Sequence, residues 1–151
     1  MAKLNIIKFG DPLLRKTARP VEAITPRITT LLDDMIETMR DAGGCGLAAP
    51  QVGILRRIAV IEVDEGTVYE LINPKIIAYS GEQRETEGCL SNPGAYGITK
   101  RPKSVIVRAT DRHGKEYELR GTDLLARAIC HECDHLDGKL YTDVQIKAIE
   151  E

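Results

Sequence analysis

The stretch His131-Glu132-Cys133-Asp134-His135, of the form H-E-x-x-H, lies where apolar spacing predicts an α-helix. At 3.6 residues per turn, His135 lies about 40° from His131 around the helix axis and Glu132 about 100° from it. The two imidazoles therefore point the same way from successive turns, and the Glu132 carboxylate flanks them. This arrangement suits one divalent metal ion with a base beside its bound water. The stretch itself leaves the third metal ligand open.

The face of this helix that carries the histidines also holds small or apolar residues. On the wheel that places His131 at zero, Leu124 lies at about 20° and Ala128 at about 60°. Such a face predicts a dry pocket beside the metal. Arg127 borders the same face at about -40°, and we expect it to form an ion pair.

The sequence predicts two amphipathic helices in total. The first has Thr25 as its N-cap and Pro26 at its first position, and the glycine pair 43–44 ends it. The second, which carries the histidines, begins near Thr122, a residue type suited to the N-cap, and ends at Gly138. In the first helix one apolar stripe follows the helical period at Ile28, Leu31, Leu32, Met35, Ile36 and Met39.

Short apolar runs separated by turn residues predict strands between and before these helices. Asn73-Pro74 is expected to end one strand, and residues 144–151 are expected to add one or two helical turns. The order of elements predicts a mixed α+β fold rather than an alternating parallel sheet. The predicted strands cover residues 3–9, 57–63, 67–72, 76–79, 104–109 and 116–119.

Size and composition favour a single domain over residues 1–151 of this chain, which is 42% hydrophobic and 29% charged. The formal net charge of -2 argues against nucleic-acid binding, and the basic run 100–103 is interpreted as a solvated strand edge. No apolar run is long enough for a membrane span, and the first residues lack the apolar region of a signal peptide. We therefore expect a cytoplasmic protein without membrane contact.

Four cysteines are present, at positions 45, 89, 130 and 133. In a reducing compartment they are expected to be free thiols or metal ligands. The spacing of Cys130 and Cys133 resembles a redox pair, but redox pairs open a helix, whereas these two lie within one. Cys133 falls on the side of the helix away from His131, so we expect it to pack as a small apolar residue.

Three stretches together resemble the three signatures of the peptide deformylase family. They are Gly44-Cys-Gly-Leu-Ala-Ala-Pro-Gln51, Glu87-Gly-Cys-Leu-Ser91 and the helical stretch 131–135, in that order and at these spacings. The segments Gly10-Asp-Pro-Leu-Leu-Arg15 and Leu71-Ile-Asn-Pro74 extend the resemblance, which covers nearly the whole chain.

The resemblance implies antiparallel β-sheets packed around a central helix that carries H-E-x-x-H, with an amphipathic helix near the N-terminus. It also implies that Cys89 is the third metal ligand beside His131 and His135. A thiolate and two neutral imidazoles leave a fourth position for water. This donor set fits zinc as well as iron. The resemblance implies one Fe(2+) per chain, with zinc, nickel or cobalt able to substitute.

The resemblance further implies a reaction. The substrate is the N-formylmethionine end of a newly synthesised polypeptide, and hydrolysis of the formamide releases formate. Glu132 would accept the proton of the attacking water and deliver one to the leaving amine. The Gln51 side-chain amide and the Leu90 backbone N–H would stabilise the oxyanion.

Substrate binding is expected in the glycine-rich loop and on the metal face of the helix. The implied substrate-binding residues are Gly46, Cys45, Leu124 and Ala128. The sequence departs from the family pattern at Cys45, at Asn92 and at Tyr96, where some members place a substrate-contacting arginine. The chain ends soon after Gly138, so the transient ribosome association that the family implies is left open.

Two other classes remain as alternatives. A zinc metallopeptidase also uses H-E-x-x-H, but it would take its third ligand from downstream, where only Asp137, Asp143, Glu150 and Glu151 are available. A non-catalytic metal-binding relative would commonly lack Glu132 or a ligand, and neither is missing.

Overall fold

A computed structural model describes residues 3–149 of the chain. The helices are α1 (Pro26–Asp41), α2 (Asp123–Leu136) and the short α3 (Tyr141–Val144), and two 3-10 turns cover Pro12–Arg15 and Ala49–Val52. The strands are β1 (Gly46–Ala48), β2 (Ile58–Asp64), β3 (Thr67–Ser80), β4 (Gln83–Gly88), β5 (Tyr96–Arg101), β6 (Ser104–Thr110), β7 (Glu116–Thr122) and β8 (Gln145–Ile149). Within the described range no helix has the length and apolar character needed to cross a membrane.

The strands form two antiparallel sheets. The larger sheet has five strands in the order β1-β2-β3-β6-β7, and the smaller has three in the order β4-β5-β8. Every strand pair in both sheets is antiparallel. The predicted mixed α+β class with antiparallel sheets is therefore confirmed.

Helices α1 and α2 pack on opposite faces of the five-stranded sheet. This arrangement explains why the sequence of β2 is so apolar. Successive side chains of a strand point to opposite faces. Ile58 and Val60 join the apolar cluster that contains the buried side of α1. Ala59 and Ile61 join the cluster that contains the buried side of α2. Because both faces of β2 are covered, apolar residues are needed at consecutive positions.

Helix α2 also contacts the smaller sheet. Its residues Ile129 and Leu136 are fully buried in the apolar cluster with the five-stranded sheet. From the other side, Glu87 of β4 lies against His131, and Arg101 of β5 lies against Asp134. The polar face of α2 is therefore enclosed between the two sheets, which places the H-E-x-x-H stretch inside the molecule.

Both N-cap predictions fall at the right residues, but without the expected side-chain bonds. Thr25 precedes α1 and Thr122 precedes α2, each with extended backbone and neither with a side-chain hydrogen bond to its helix. The short 3-10 turn near the N-terminus does use such a cap, because the Asp11 side chain accepts from the Leu13 backbone N–H.

Strand β3 continues through Asn73-Pro74, where the sequence predicted an end. Asn73 adopts a positive φ of 51°, and the pairing with β6 shifts register between Ile72 and Lys75. The Asn73 side chain bonds to the backbone N–H and C=O of Val21, at 2.8 Å each. Asparagine tolerates this conformation, so the residues that predicted a turn instead form a bulge in a longer strand.

Three other segments differ from the prediction. Residues 3–9 form no strand but run along the loops of the site, with Ile7 N–H donating to Gln51 O and Phe9 N–H to Ser91 O. Strands β4 and β5 were missed because their inward-facing residues are mostly polar or glycine. In the predicted helical tail, Val144 ends α3 and Gln145–Ile149 form strand β8 on β5, while residues 150–151 lie outside the described range.

Candidate metal centre and catalytic cleft

Three side chains converge on one point at the polar face of α2. Cys89 Sγ lies 3.3 Å from His135 Nε2, and His131 Nε2 lies 3.2 Å from the same nitrogen. All three candidate ligand atoms lie within 4.8 Å of one another. Ligand bonds of about 2.0–2.3 Å in a tetrahedral arrangement separate neighbouring ligand atoms by about 3.3–3.7 Å. The thiol and imidazole set therefore fits a single zinc- or iron-sized ion.

The His131 ring is oriented by Glu87, which the sequence did not single out. The distance from His131 Nδ1 to Glu87 Oε2 is 2.6 Å, and Thr99 donates to Glu87 Oε1 at 2.8 Å. Although burial favours the neutral acid, hydrogen bonds from His131 and Arg101 outweigh it and lower the pKa of Glu87 to about 2. The ionised carboxylate keeps a proton on Nδ1, so Nε2 is the ring nitrogen that faces the metal position.

Arg101 anchors this arrangement, and the prediction of a solvated strand edge is wrong for it. Its guanidinium is 6% exposed, donates to both oxygens of Glu87 at 3.1 and 2.7 Å, and bonds Asp134 at 2.6 Å. Two ion pairs offset the loss of water around the buried cation. Glu87 stands two residues before Cys89, and that proximity was the one sequence signal that could have indicated this network.

The two histidines differ in their protonation. Burial and the charge of His131 lower the pKa of His135 well below its usual value, so its imidazole is neutral. Burial also opposes a charge on His131, but the Glu132 carboxylate, Cys89 and Glu87 outweigh it and raise the pKa of His131 well above the usual value. Neutral imidazole is the form that binds a metal ion, so metal binding here would release the Nε2 proton of His131.

Glu132 lies beside the candidate ligands and is 3% exposed. Burial raises the pKa of its carboxyl group to about 7. Its Oε1 atom is buried and has no hydrogen-bond partner among residues 3–149. A Cβ on Gly46 would overlap this carboxylate. The glycine at the start of β1 is therefore required by the close approach of the acid, which the sequence alone could not show.

Gln51 and Leu90 bring polar hydrogens to the same region. Gln51 is 1% exposed; its Oε1 accepts from the Ala48 N–H at 2.9 Å, and its Nε2 donates to Ser91 Oγ at 3.1 Å. The same Nε2 donates its other hydrogen to Cys89 Sγ at 3.4 Å. Within the described chain the Leu90 backbone N–H forms no hydrogen bond. The Leu90 N–H can therefore donate to an oxygen placed next to the metal, and Gln51 Nε2 can do so by turning its second hydrogen from Cys89 Sγ to that oxygen.

An open cleft of about 460 Å³ leads from the surface to this centre. The predicted site residues other than His135 all line it, and His135 lies behind His131 and Cys89. Leu124 is 43% exposed, so it stands at the rim rather than in the interior. The structure thus brings together, in one cleft, site residues that the sequence predicted on three separate stretches. They are Cys45, Gly46, Gln51, Cys89, Leu90, Leu124, Ala128, His131 and Glu132.

The ion pair predicted for Arg127 is not found among residues 3–149. Its Nη1 donates at 2.7 Å to the neutral amide oxygen of Gln83. Of the carboxylates nearby on α2, Asp134 pairs with Arg101 and Glu132 lies against Gly46.

The structure also bears on the alternatives. Asp137 pairs with Arg57 and Asp143 with Arg15, so both downstream carboxylates are engaged away from the histidines. Glu150 and Glu151 lie outside the described residues. Cys130 and Cys133 are free thiols packed in or against the apolar cluster on α2, and burial raises the pKa of Cys130 to about 11. The thiols are therefore unreactive, as expected from the sequence.

A mixed α+β fold with a candidate Cys-His-His metal site and an adjacent buried carboxylate is typical of a metal-dependent hydrolase. Comparison with known proteins gives the family, since the family model for polypeptide deformylase matches residues 3–150. The chain therefore belongs to the polypeptide deformylase family. The predicted enzyme class, a hydrolase that removes the N-formyl group from nascent peptides, is confirmed.

Individual relatives agree with the family model. A peptide deformylase of Alkaliphilus metalliredigens is 60% identical over 91% of this chain and 92% of its own length. One from Lachnoclostridium phytofermentans is 58% identical over 95% of this chain and 89% of its own. Among solved structures, the Legionella pneumophila peptide deformylase has a TM-score of 0.92 at 45% identity, covering 95% of this chain and 86% of that one. The Thermotoga maritima enzyme has a TM-score of 0.93 at 37% identity, covering 96% and 99%.

Proposed function

We propose that Cys89, His131 and His135 hold one divalent metal ion and that Glu132, Gln51 and Leu90 carry out deformylation beside it. The substrate is the N-formylmethionine end of a newly synthesised polypeptide, and the products are formate and the free amine. The convergence of the three candidate ligands carries this proposal, because the separations of 3.3 and 3.2 Å from His135 Nε2 to Cys89 and His131 suit one coordination sphere.

We assign ferrous iron as the physiological metal, with zinc, nickel or cobalt as substitutes. The soft thiolate and the two imidazoles accept any of these ions, and the general affinity order favours zinc over iron. The assignment to iron rests on the family to which the chain belongs. When bound, such an ion lowers the pKa of a water molecule and polarises the formyl carbonyl.

Glu132 is assigned as the general base and then the general acid. Its free Oε1 can accept a proton from the attacking water, and the same atom can then donate that proton to the departing amine. Enclosure between Gly46 and α2 keeps the carboxylate in one place, so that both proton transfers occur at a fixed position.

Gln51 and Leu90 are assigned to the oxyanion. As the formyl carbon becomes tetrahedral, its oxygen gains negative charge and needs fixed donors. The Leu90 N–H is free to provide one such bond. The Gln51 amide is already held by Ala48 and Ser91, so it is oriented before substrate arrives and needs little rearrangement.

The substrate residues are assigned to the walls of the cleft. Gly46 lies at the start of β1, where the absence of a side chain lets a peptide backbone approach. Cys45, Ala128 and Leu124 offer apolar surface for a methionine side chain, with Leu124 at the outer rim. The exposed Tyr96 borders the same cleft and would contact residues after the methionine.

We further propose that residues 1–151 act as one catalytic domain with α2 as its central helix and α1 as an outer amphipathic helix. The support is that α2 contacts both sheets, whereas α1 covers one face of one sheet. Because its substrate would be a nascent formylated chain, we also assign the enzyme to the cytoplasm, with transient association at the ribosome. The net charge of -2 supports contact with the peptide rather than with RNA.

Substitution of Gln51 tests the oxyanion assignment. Gln51→Ala should lower kcat by about 10²–10³-fold, the effect of losing one preorganised oxyanion donor. KM for a formylated dipeptide should change much less, because the donor acts on the charge that develops in the transition state. Steady-state formate release measures both constants. A loss seen only in KM, with kcat unchanged, would contradict the assignment.

Product analysis tests the proposed function as a whole. The protein is incubated anaerobically with formyl-Met-Ala and, separately, with unformylated Met-Ala-Ser, and formate and new amino groups are quantified. We expect one formate per free amine from the first peptide and no cleavage of the second. Cleavage of a peptide bond in Met-Ala-Ser would support the metallopeptidase class, and binding of metal without any product would support a non-catalytic relative.

A further inference from the structure

We infer that Tyr141 is a positioning residue for the metal centre, fixing the His131 ring and the loop after Cys89 relative to each other. The inference rests on the proposed metal site and adds a residue that neither the sequence motifs nor the ligand set indicated. Tyr141 opens α3 and is 2% exposed, so the whole side chain acts inside the protein.

The ring of Tyr141 supports a metal ligand directly. It stacks on the His131 imidazole with ring centroids 6.2 Å apart and planes 21° apart. On a second side it contacts the ring of Phe9, with centroids 5.8 Å apart. The His131 ring is thus held in its plane by Tyr141, while the hydrogen bond to Glu87 fixes its direction.

The hydroxyl of Tyr141 contacts the loop that follows Cys89, the proposed thiol ligand. Asn92 Nδ2 donates to Tyr141 Oη at 3.1 Å, and the backbone N–H of Asn92 donates to the carbonyl of Cys89 at 2.9 Å. Phe9 adds a parallel link, because its N–H donates to Ser91 O at 2.8 Å. One side chain therefore joins the loop after Cys89 to the ring of His131.

Tyr141 can transmit this constraint because its own backbone is anchored. The Leu140 N–H donates to Asp143 Oδ2 at 2.9 Å. Arg15 holds the same carboxylate through two bonds, at 2.5 and 3.1 Å. A tyrosine on a fixed turn restrains the loop to which it is hydrogen-bonded. A tyrosine on a mobile tail would follow the movements of that loop instead.

The variants Tyr141→Phe, Asn92→Ala and the double variant test the inference as a double-mutant cycle. Tyr79→Phe serves as the matched control, because Tyr79 is 75% exposed on β3. Each protein is prepared metal-free and with cobalt(II). Three quantities are measured: the rate of cobalt transfer to a chelator, the thiolate-to-cobalt absorption band, and amide hydrogen exchange at Asn92 in the metal-free form.

We expect Tyr141→Phe to lose cobalt about fivefold faster than the wild type, the factor that one neutral hydrogen bond supplies. The absorption band should shift, and exchange at Asn92 should accelerate by a similar factor. Asn92→Ala should lose cobalt at a similar rate, and the double variant no faster than either single one, because both remove the same bond.

Two results would overturn the inference, and they are distinguishable from failure of the metal site. If wild type binds cobalt with a thiolate band but Tyr141→Phe matches Tyr79→Phe in all three measurements, Tyr141 positions nothing. If the effects of the two single variants simply add, the hydroxyl and the amide act separately and the proposed link is wrong. A wild type without the thiolate band would instead refute the metal site itself.

Discussion

The Glu132→Ala variant should lose about 10²–10⁴-fold in kcat for formyl-Met-Ala, the usual contribution of a positioned acid or base. Glu132 is the one carboxylate that projects beside the candidate ligands with an oxygen that no residue of the described chain engages. Its removal should leave metal content at one ion per chain, because the ligand atoms belong to other side chains. Formate release and metal analysis on the same preparation measure both effects.

The controls separate proton transfer from general damage. Glu132→Gln keeps the shape of the side chain but cannot accept a proton, so it should be as slow as Glu132→Ala. Glu118→Ala removes an exposed carboxylate on β7, paired only with Arg108, and should retain wild-type turnover. Wild-type formate release by Glu132→Gln would show that another group moves the proton.

The Cys89→Ala variant should have the second large effect, on the metal itself. Loss of an outer partner of a ligand weakens metal affinity by about 10–100-fold, so loss of a ligand should weaken it by more than about 100-fold. The remaining two imidazoles bind without a charge to offset that of the ion. Competition with a chelator measures the affinity, and turnover should fall in proportion to the metal lost.

Cys133→Ala is the matched control for this experiment. It removes a thiol from the same helix that carries the histidines, but Cys133 packs against the apolar cluster rather than toward the metal. It should therefore keep one metal ion per chain. All proteins should be handled anaerobically, because a thiolate beside ferrous iron is open to oxidation. Unchanged metal affinity in Cys89→Ala would remove Cys89 from the ligand set.

The elements that the sequence predicted well are those with a regular apolar period. Apart from Thr38, helix α1 and the buried strand β2 present apolar residues at their buried positions, so their patterns are unambiguous. Strands β4 and β5 were not predicted, because they face the polar side of α2. Gln83 and Glu87 point inward to bond Arg127 and His131, so burial there does not require an apolar residue.

The candidate site was predictable in part. The helical spacing alone placed His131, His135 and Glu132 together, whereas Cys89 and Gln51 came only from the resemblance to a family. Arg101 and Tyr141 could not be found either way. A buried arginine in a basic run looks like a solvated one, and contact between distant segments leaves no periodic signal in the sequence.

Titration of the metal-free protein with ferrous iron under anaerobic conditions tests the central claim most directly. The initial rate of formate release from formyl-Met-Ala is followed as iron is added. We predict no activity without metal, a linear rise, and a sharp break at one iron per chain, because one set of ligands holds one ion. Full activity in the metal-free protein, or iron binding at one per chain without formate release, would contradict the account.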